Sequence, residues 1–267
     1  MASGIDGQTM TSTVNDTDTT TTTTTDGREG WASTIELLWG EREPSGRGPK
    51  PAFTIGDIAA AAVRIADANG IAAVSMQRVA GELGYTKMSL YRYVAGKAEL
   101  LAVMIEEAIG PPPDLSAIGG GWRRRAEAWA RLMWETWDRH PWIPGATTGV
   151  RPVGPREASW SEAVVAAFAG TGLPGADQMN AAVLLSGHVR NTHSPGAAGS
   201  QPWTADHTLD PVLAPLIRAR ADRFPAIMAA TGTPGPHPDD VRQFGLSRIL
   251  DGIELLMGAD SGRGHAG

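Results

Sequence analysis

Hydrophobic positions recur at helical spacing from Phe53 almost to the end of the chain. Thr54 stands where it can cap a first helix, with Asp57 three residues on to complete a capping box. Ile58, Ala62 and Ile65 then follow at spacings of four and three, until Gly70 stops the run. Ser75 caps a second, shorter helix that turns Val79 and Leu83 inward and ends at Gly84. Thr86 caps a third, with Leu90 and Val94 at i, i+4 facing the core, and Gly96 breaks it. A fourth, over residues 98–109, buries Leu100, Leu101, Met104 and Ile105 before Pro111-Pro112-Pro113 ends it. Beyond it the pattern predicts helices over 122–140, 159–169, 176–193, 211–230 and 239–257, a turn near 144–149, and loops rich in Gly and Pro. No segment alternates with period two over more than a few residues. The fold class is all-α.

The flanks read differently. Residues 1–30 are dominated by the threonine run from Thr19 to Thr25 and hold almost no large apolar side chain, so nothing offsets the entropy of ordering them. They read as disordered, or as the product of a start codon assigned too far upstream. A short amphipathic piece from Trp31 to Trp39 could pack on the body or stay mobile, and residues 40–52 read as a flexible basic arm. The expected organisation is a tail and arm over 1–52, a first helical domain over 53–110 and a second over 111–260.

Composition narrows the classes. The chain has 267 residues, enough for one large or two modest domains, and no cysteine, which excludes disulfides, thiolate metal sites and cysteine nucleophiles. No secretory signal is recognisable, and no apolar run approaches the roughly 18 residues that cross a bilayer. These features point to a soluble, cytoplasmic protein. A net charge of −6 argues against nucleic acid on average, yet Arg42, Arg47, Lys50, Lys87, Arg92 and Lys97 concentrate positive charge early in the chain. Local charge is what counts, because screening confines electrostatics to about 10 Å at 0.1 M salt.

All three tyrosines, Tyr85, Tyr91 and Tyr93, fall in one stretch with Lys87, Ser89 and Arg92. Aromatic hydroxyls, a serine and two cations make a poor core element and a good groove reader, since hydroxyls and cations meet phosphates and base edges. Two short helices joined by a glycine turn, the second polar and aromatic outside, form a helix-turn-helix. An ordinary helical hairpin would leave three outward tyrosines unexplained.

The run from Ser75 to Val94, with its Leu83-Gly84 turn and its Ser89-Leu90-Tyr91 followed by Lys97 and Ala98-Glu99-Leu100-Leu101, closely resembles the DNA-binding signature of TetR-family transcriptional regulators. More weakly, Trp122 opening a long helix, His140-Pro141, Gly149-Val150-Arg151-Pro152 and Phe244-Gly245-Leu246 resemble the C-terminal domain of the tetracycline-repressor subgroup, which dimerises and binds a small effector. The resemblance implies that Tyr91 and Lys97 contact phosphates and that Ser75 caps its helix and touches the backbone. Gln77, Thr86, Lys87, Met88, Ser89, Arg92 and Tyr93 then face bases or neighbouring phosphates. Met88 has a second reading, packing on the adjacent helix. One departure matters: the tetracycline-responsive members carry a metal-ligating histidine where this chain has Pro144-Gly145-Ala146-Thr147-Thr148-Gly149. That argues against a magnesium–tetracycline effector, and neither a metal nor a cofactor is expected.

Downstream, Trp129, Met133, Trp137 and His140 fall broadly on one helical face, and with Phe168 and His188 they are the expected lining of an apolar effector pocket. An aromatic or polyketide-like molecule suits such a lining. Val183 and Leu184, with Leu250, Ile253, Leu256 and Met257, offer apolar stripes for a homodimeric four-helix bundle. Gly170-Thr171-Gly172-Leu173-Pro174-Gly175 spells the dinucleotide fingerprint, but a helical run precedes it where a strand is needed, so it reads as an interhelical loop. The expected function is a dimeric repressor released from a palindromic operator by a small molecule. The alternative is an all-α enzyme or carrier using the Trp-rich cavity, although no nucleophile–base pair, paired carboxylates or metal-ligand spacing supports it.

Overall fold

In the computed structural model the described residues are 31–40, 53–193, 202–204, 208–231 and 238–263. The threonine run and the cations Arg42, Arg47 and Lys50 of the arm lie outside them. The helices are α1 (Ala32–Leu38), α2 (Ile55–Asn69), α3 (Met76–Leu83), α4 (Lys87–Leu90), α5 (Lys97–Ile109) and α6 (Gly121–Arg139). They continue with α7 (Ile143–Ala146), α8 (Pro155–Ala167), α9 (Gly175–His193), α10 (Ala214–Arg218), α11 (Pro225–Ala230) and α12 (Pro238–Arg263). Among the described residues there is no strand, only one isolated antiparallel bridge between Trp203 and Leu209.

Local chemistry sets α2, α3 and the turn into α4. Thr54 and Asp57 exchange hydrogen bonds as a capping box, Thr54 N–H donating to Asp57 Oδ2 at 2.7 Å and Asp57 N–H to Thr54 Oγ1 at 3.1 Å. Those bonds hold the Asp57 carboxyl below its ordinary pKa. Ser75 Oγ accepts from Arg78 N–H at 3.2 Å to start α3, and Gly84 ends it in the left-handed region at φ 77°. A side chain at Gly84 would be strained there, and the tight turn into α4 depends on that conformation.

The core is continuous. Ile58, Ala62 and Ile65 of α2, Leu90 and Val94 around α4, and Leu100, Met104 and Ile105 of α5 join Trp129, Met133, Phe168, Leu185, Leu246 and Leu250 in one buried cluster. Helix α5 belongs to both halves: it packs on α2 on one side and on α8 on the other. The piece from Trp31 to Trp39 does not hang free. Helix α1 packs on α5, burying Leu37, while Ser33 Oγ donates to the buried Glu99 carboxylate at 2.8 Å and Trp39 Nε1 to Val153 O at 3.2 Å. Glu99 also accepts the Ala95 N–H at 2.6 Å, so one carboxylate starts α5 and holds α1.

Three expectations change. The single helix over 211–230 is interrupted, because Pro225 has no N–H to continue a ladder and drives Phe224 to φ −129°, ψ 46°. Helix α8 begins at Pro155, four residues before the expected start, with proline in the first turn where its missing donor costs nothing. Leu250 and Ile253 do not form an outward stripe: both are buried inside the single chain, and α12 instead exposes Phe244, Leu255 and Leu256. On α9, Met179, Val183 and Leu184 are exposed as expected of an uncovered face. The glycine-rich segment at 170–175 joins α8 to α9 as an interhelical loop, with positive φ at Gly170 and Gly172.

Candidate functional site

The helix-turn-helix is α3 and α4. Helix α4 is a single turn, carried on by hydrogen-bonded turns from Tyr93 N–H and Val94 N–H to Leu90 O at 2.9 and 3.1 Å. Buried Leu90 and Val94 pin it to the core, and its outer face is open. Met88 is 72% exposed, so it does not pack on the neighbouring helix. Gln77, Lys87, Arg92 and Lys97 are exposed, and Tyr91 is partly so, with Lys87 Nζ 5.5 Å from its ring centroid. Ser75 and Thr86 spend their oxygens on caps. Thr86 Oγ1 receives Ser89 N–H at 3.4 Å and sits 3.0 Å from Ser89 Oγ, so the two hydroxyls form a linked pair. Tyr93 is half-buried: its ring lies 4.7 Å from that of Phe53, which also contacts Tyr85 at 4.7 Å. Tyr93 thus braces the motif, whereas Tyr85, though packed on Phe53, and Tyr91 both keep an exposed edge, at 41% and 38%.

The second site is a cavity of about 150 Å³ lined by Trp129, Met133 and Trp137 of α6, Ile109 of α5, Ile143 and Thr147 around α7, Glu157, Trp160 and Ser161 of α8, and Ser186 and Arg190 of α9. Trp129, Met133 and Trp137 were legible from helical spacing. His140, Phe168 and His188 lie elsewhere. His140 Nδ1 sits 3.0 Å from the Asp67 carboxylate of α2. Phe168 is fully buried against Trp122, with ring centroids 5.7 Å apart. The His188 Nε2 lies 2.8 Å from Arg242 O and joins α9 to α12. His140 and Phe168 follow the last residues of α6 and α8, and His188 lies between Ser186 and Arg190 on α9, but each is turned to a different neighbour.

The polar wall comes from residues that periodicity does not single out. Arg151 Nη1 donates to Glu157 Oε2 at 2.9 Å while its other amino group meets Oε1, a bidentate pair. Arg190 lies over the Trp137 ring at 5.3 Å, and donates to Thr147 Oγ1 at 2.9 Å and to Pro144 O. Burial, and then repulsion from Arg151, lowers the Arg190 pKa from its ordinary value. Trp129 Nε1 donates to Trp160 O at 3.0 Å, whereas the buried indole nitrogens of Trp137 and Trp160 have no partner.

Contacts at two places tie this region to the N-terminal helices. Glu106 of α5 caps α8, its carboxylate accepting from Arg156 N–H at 2.8 Å and Glu157 N–H at 3.1 Å. A Cβ on Gly154 would collide with that carboxylate and push it off the two N–H groups it caps. Beyond α6, Asp67 Oδ1 accepts from Trp142 Nε1 at 2.7 Å beside its contact with His140.

Comparison with known proteins agrees with this geometry. Residues 58–104 match the family model described as bacterial regulatory proteins, tetR family, and residues 115–257 match the tetracyclin repressor-like C-terminal domain. The chain is 36% identical over 264 residues to the HTH-type transcriptional repressor DrrR1 of Streptomyces coeruleorubidus, covering 94% of this chain and 96% of that protein. Among solved structures, apo ActR of Streptomyces coelicolor superposes with a TM-score of 0.62 at 22% identity, covering 80% of this chain and 100% of that one. ActR in complex with actinorhodin gives 0.60 at 23%, covering 76% and 95%. The family models and DrrR1 are those of transcriptional regulators, which sets aside the enzyme reading. The chain belongs to the TetR family of transcriptional regulators: an N-terminal helix-turn-helix domain followed by a tetracycline-repressor-like C-terminal domain.

Proposed function

We propose that this regulator is a homodimeric repressor that sits on a palindromic operator and is released by a small molecule in the α5–α9 cavity. The observation that carries the reading is the shared wall. Ile109 of α5 lines the cavity, and Glu157 lines it from the first turn of α8, which Glu106 of the same α5 caps. At about 150 Å³ the cavity is smaller than the roughly 300–1,000 Å³ of ligand sites in general. A larger effector must therefore push the wall outward, and α5 carries that movement into the helix-turn-helix.

Tyr91 and Lys97 hold phosphates, while Lys87, Arg92 and Gln77, with Met88 against a thymine methyl, read the major groove. The exposed Met179, Val183 and Leu184 of α9 and Phe244, Leu255 and Leu256 of α12 form the dimer face, an apolar area that a lone chain would leave in water. Two recognition helices about 34–36 Å apart then meet successive turns of B-DNA. Selection of bound sequences from a random duplex pool tests this: inverted half-sites one helical turn apart are expected. Enriched sites without two-fold symmetry would overturn the dimeric operator.

A further inference from the structure

Helix α1 lies upstream of both stretches shared with the family, and its two ends hold different parts of the molecule. At its start, Ser33 Oγ donates to Glu99 Oε1 at 2.8 Å, while the other oxygen of that buried carboxylate accepts Ala95 N–H at 2.6 Å. Ala95 follows Val94, a buried anchor of the recognition turn, and Lys97 opens α5 two residues on. Ser33 thus grips the link between the recognition helix and the helix that carries Lys97. At the far end, Trp39 Nε1 donates to Val153 O at 3.2 Å. Val153 belongs to a segment fixed on both sides, where Arg151 pairs with Glu157 and Glu106 accepts the Arg156 and Glu157 N–H groups. Glu157 lines the cavity. Trp39 therefore holds the backbone that leads into the cavity wall.

The lengths agree. Ser33 to Trp39 spans six helical steps, about 9 Å, and Glu99 to Glu106 spans seven, about 10.5 Å. Because Gly154 lies against Glu106, α1 runs beside the first two turns of α5 in the same direction. Within α1 only Thr34 and Leu37 are buried, and Ile35 and Trp39 stay exposed. A seven-residue helix is marginal by itself, so its tertiary contacts are what fix it in place.

We propose that α1 is a strap that locks the entry of α8 to the start of α5, so that displacement of the cavity wall at Glu157 reaches Ala95 and Lys97 by a second route beside α5 itself. Ser33 and Trp39 are its positioning residues. With either end cut, α5 alone carries the movement, and release of DNA weakens. The strap rests on the contacts at its two ends; its part in release rests on the cavity being the effector site.

Amide hydrogen exchange of the full chain and of its Ser33→Ala and Trp39→Phe variants tests the strap. Each substitution removes one donor and leaves the opposite contact in place. A strap requires an effect at the uncut end. Ser33→Ala should speed exchange of the Arg156 and Glu157 amides, and Trp39→Phe that of the Ala95 amide, each by about three- to tenfold, the range expected for one net hydrogen bond. Amides of α9 should be unaffected, which separates this from general loosening. Acceleration confined to the cut end, equal acceleration in α9, or no acceleration would overturn the proposal. Operator affinity then tests the strap's part in release. Met133→Trp, which fills the cavity, should weaken operator binding at least about tenfold in the intact chain. Combined with Trp39→Phe, which alone stays within about twofold of wild type, it should cost less than about threefold. An equal Met133→Trp penalty in both backgrounds would overturn the strap as a carrier of release. No penalty in the intact chain would instead overturn the cavity reading, and the exchange results alone would then decide the strap.

Discussion

Replacing Asp67 with alanine should loosen the joint between the DNA-binding helices and the effector domain. Asp67 Oδ1 accepts the Trp142 indole N–H at 2.7 Å and lies 3.0 Å from His140 Nδ1. Trp142 is only 6% exposed, so losing the carboxylate orphans a buried donor. Such a loss costs about 1–3 kcal/mol. For a chain of this size each kcal/mol moves the melting temperature by about 2–4 °C, so a loss near 2 kcal/mol gives about 4–8 °C. Asp67→Asn keeps an acceptor oxygen and should lose less than half as much. In a Trp142→Phe background the donor is already gone, and Asp67→Ala should then cost much less, a coupling that a double-mutant cycle measures directly. Calorimetric melting of the five proteins is the assay. A melting temperature for Asp67→Ala within about 1 °C of wild type, or an equal loss with and without the Trp142 indole, would refute the contact as a joint.

Other consequences can be checked separately. Tyr91→Phe and Lys97→Ala should weaken binding alike on operator and unrelated DNA, with Lys97→Ala also making the salt slope shallower by about one, whereas Arg92→Ala should cost about 1–3 kcal/mol of discrimination at one base pair in a sequence-resolved binding assay. Leu256→Glu, and independently Val183→Glu, should give folded monomers with weakened operator binding; sedimentation as dimers at micromolar concentration would move the interface elsewhere. Deleting residues 1–30 should leave the melting temperature unchanged. Deletion through Gly40 should lower it by several degrees, because half of the buried Glu99 carboxylate loses Ser33 and Leu37 leaves the core. Burial chiefly, against the Asp138 carboxylate 3.2 Å away, holds the His193 pKa below its ordinary 6.5. The unfolded chain therefore takes up a proton below about 6.5 that the folded protein resists, so stability is full above that pH and falls as pH drops below it, a slope that His193→Gln should flatten in thermal melts.

The helix-turn-helix was readable because its determinants are local. Thr54, Ser75 and Thr86 cap within three residues, and Gly84 turns within one, so spacing alone placed them. Tertiary partners were not readable in the same way. Periodicity put Trp129, Met133 and Trp137 on one face correctly, but the same logic carried His140 with them, and Asp67 from a helix 73 residues earlier claims that ring. Phe168 and His188 fail as lining residues for the same reason, their neighbours being Trp122 and the Arg242 carbonyl. Glu157 and Arg190 carry no sequence pattern, and Arg151 stood out only within the Gly149–Pro152 resemblance, since its pairing with Glu157 appears only once the chain is folded. Two misses had signals that local rules could have used. Pro155 marks the true start of α8, and Pro225 marks the break in the helix expected over 211–230. The dimer stripe shows the limit of counting in threes and fours. Leu250 and Ile253 share α12 with Leu255 and Leu256, and only contact with α9 decides which pair faces inward.

The claim that binding in the cavity releases DNA can be tested without knowing the effector, by building its bulk into the protein. Met133→Trp places an indole in the space beside Trp129 and Trp137 and presses on the wall shared with α5. Operator affinity of this variant should fall at least tenfold, which corresponds to about 1.4 kcal/mol of coupling, while its dimer and its cooperative melt persist. A folded, dimeric Met133→Trp protein that holds the operator as tightly as wild type would contradict the account.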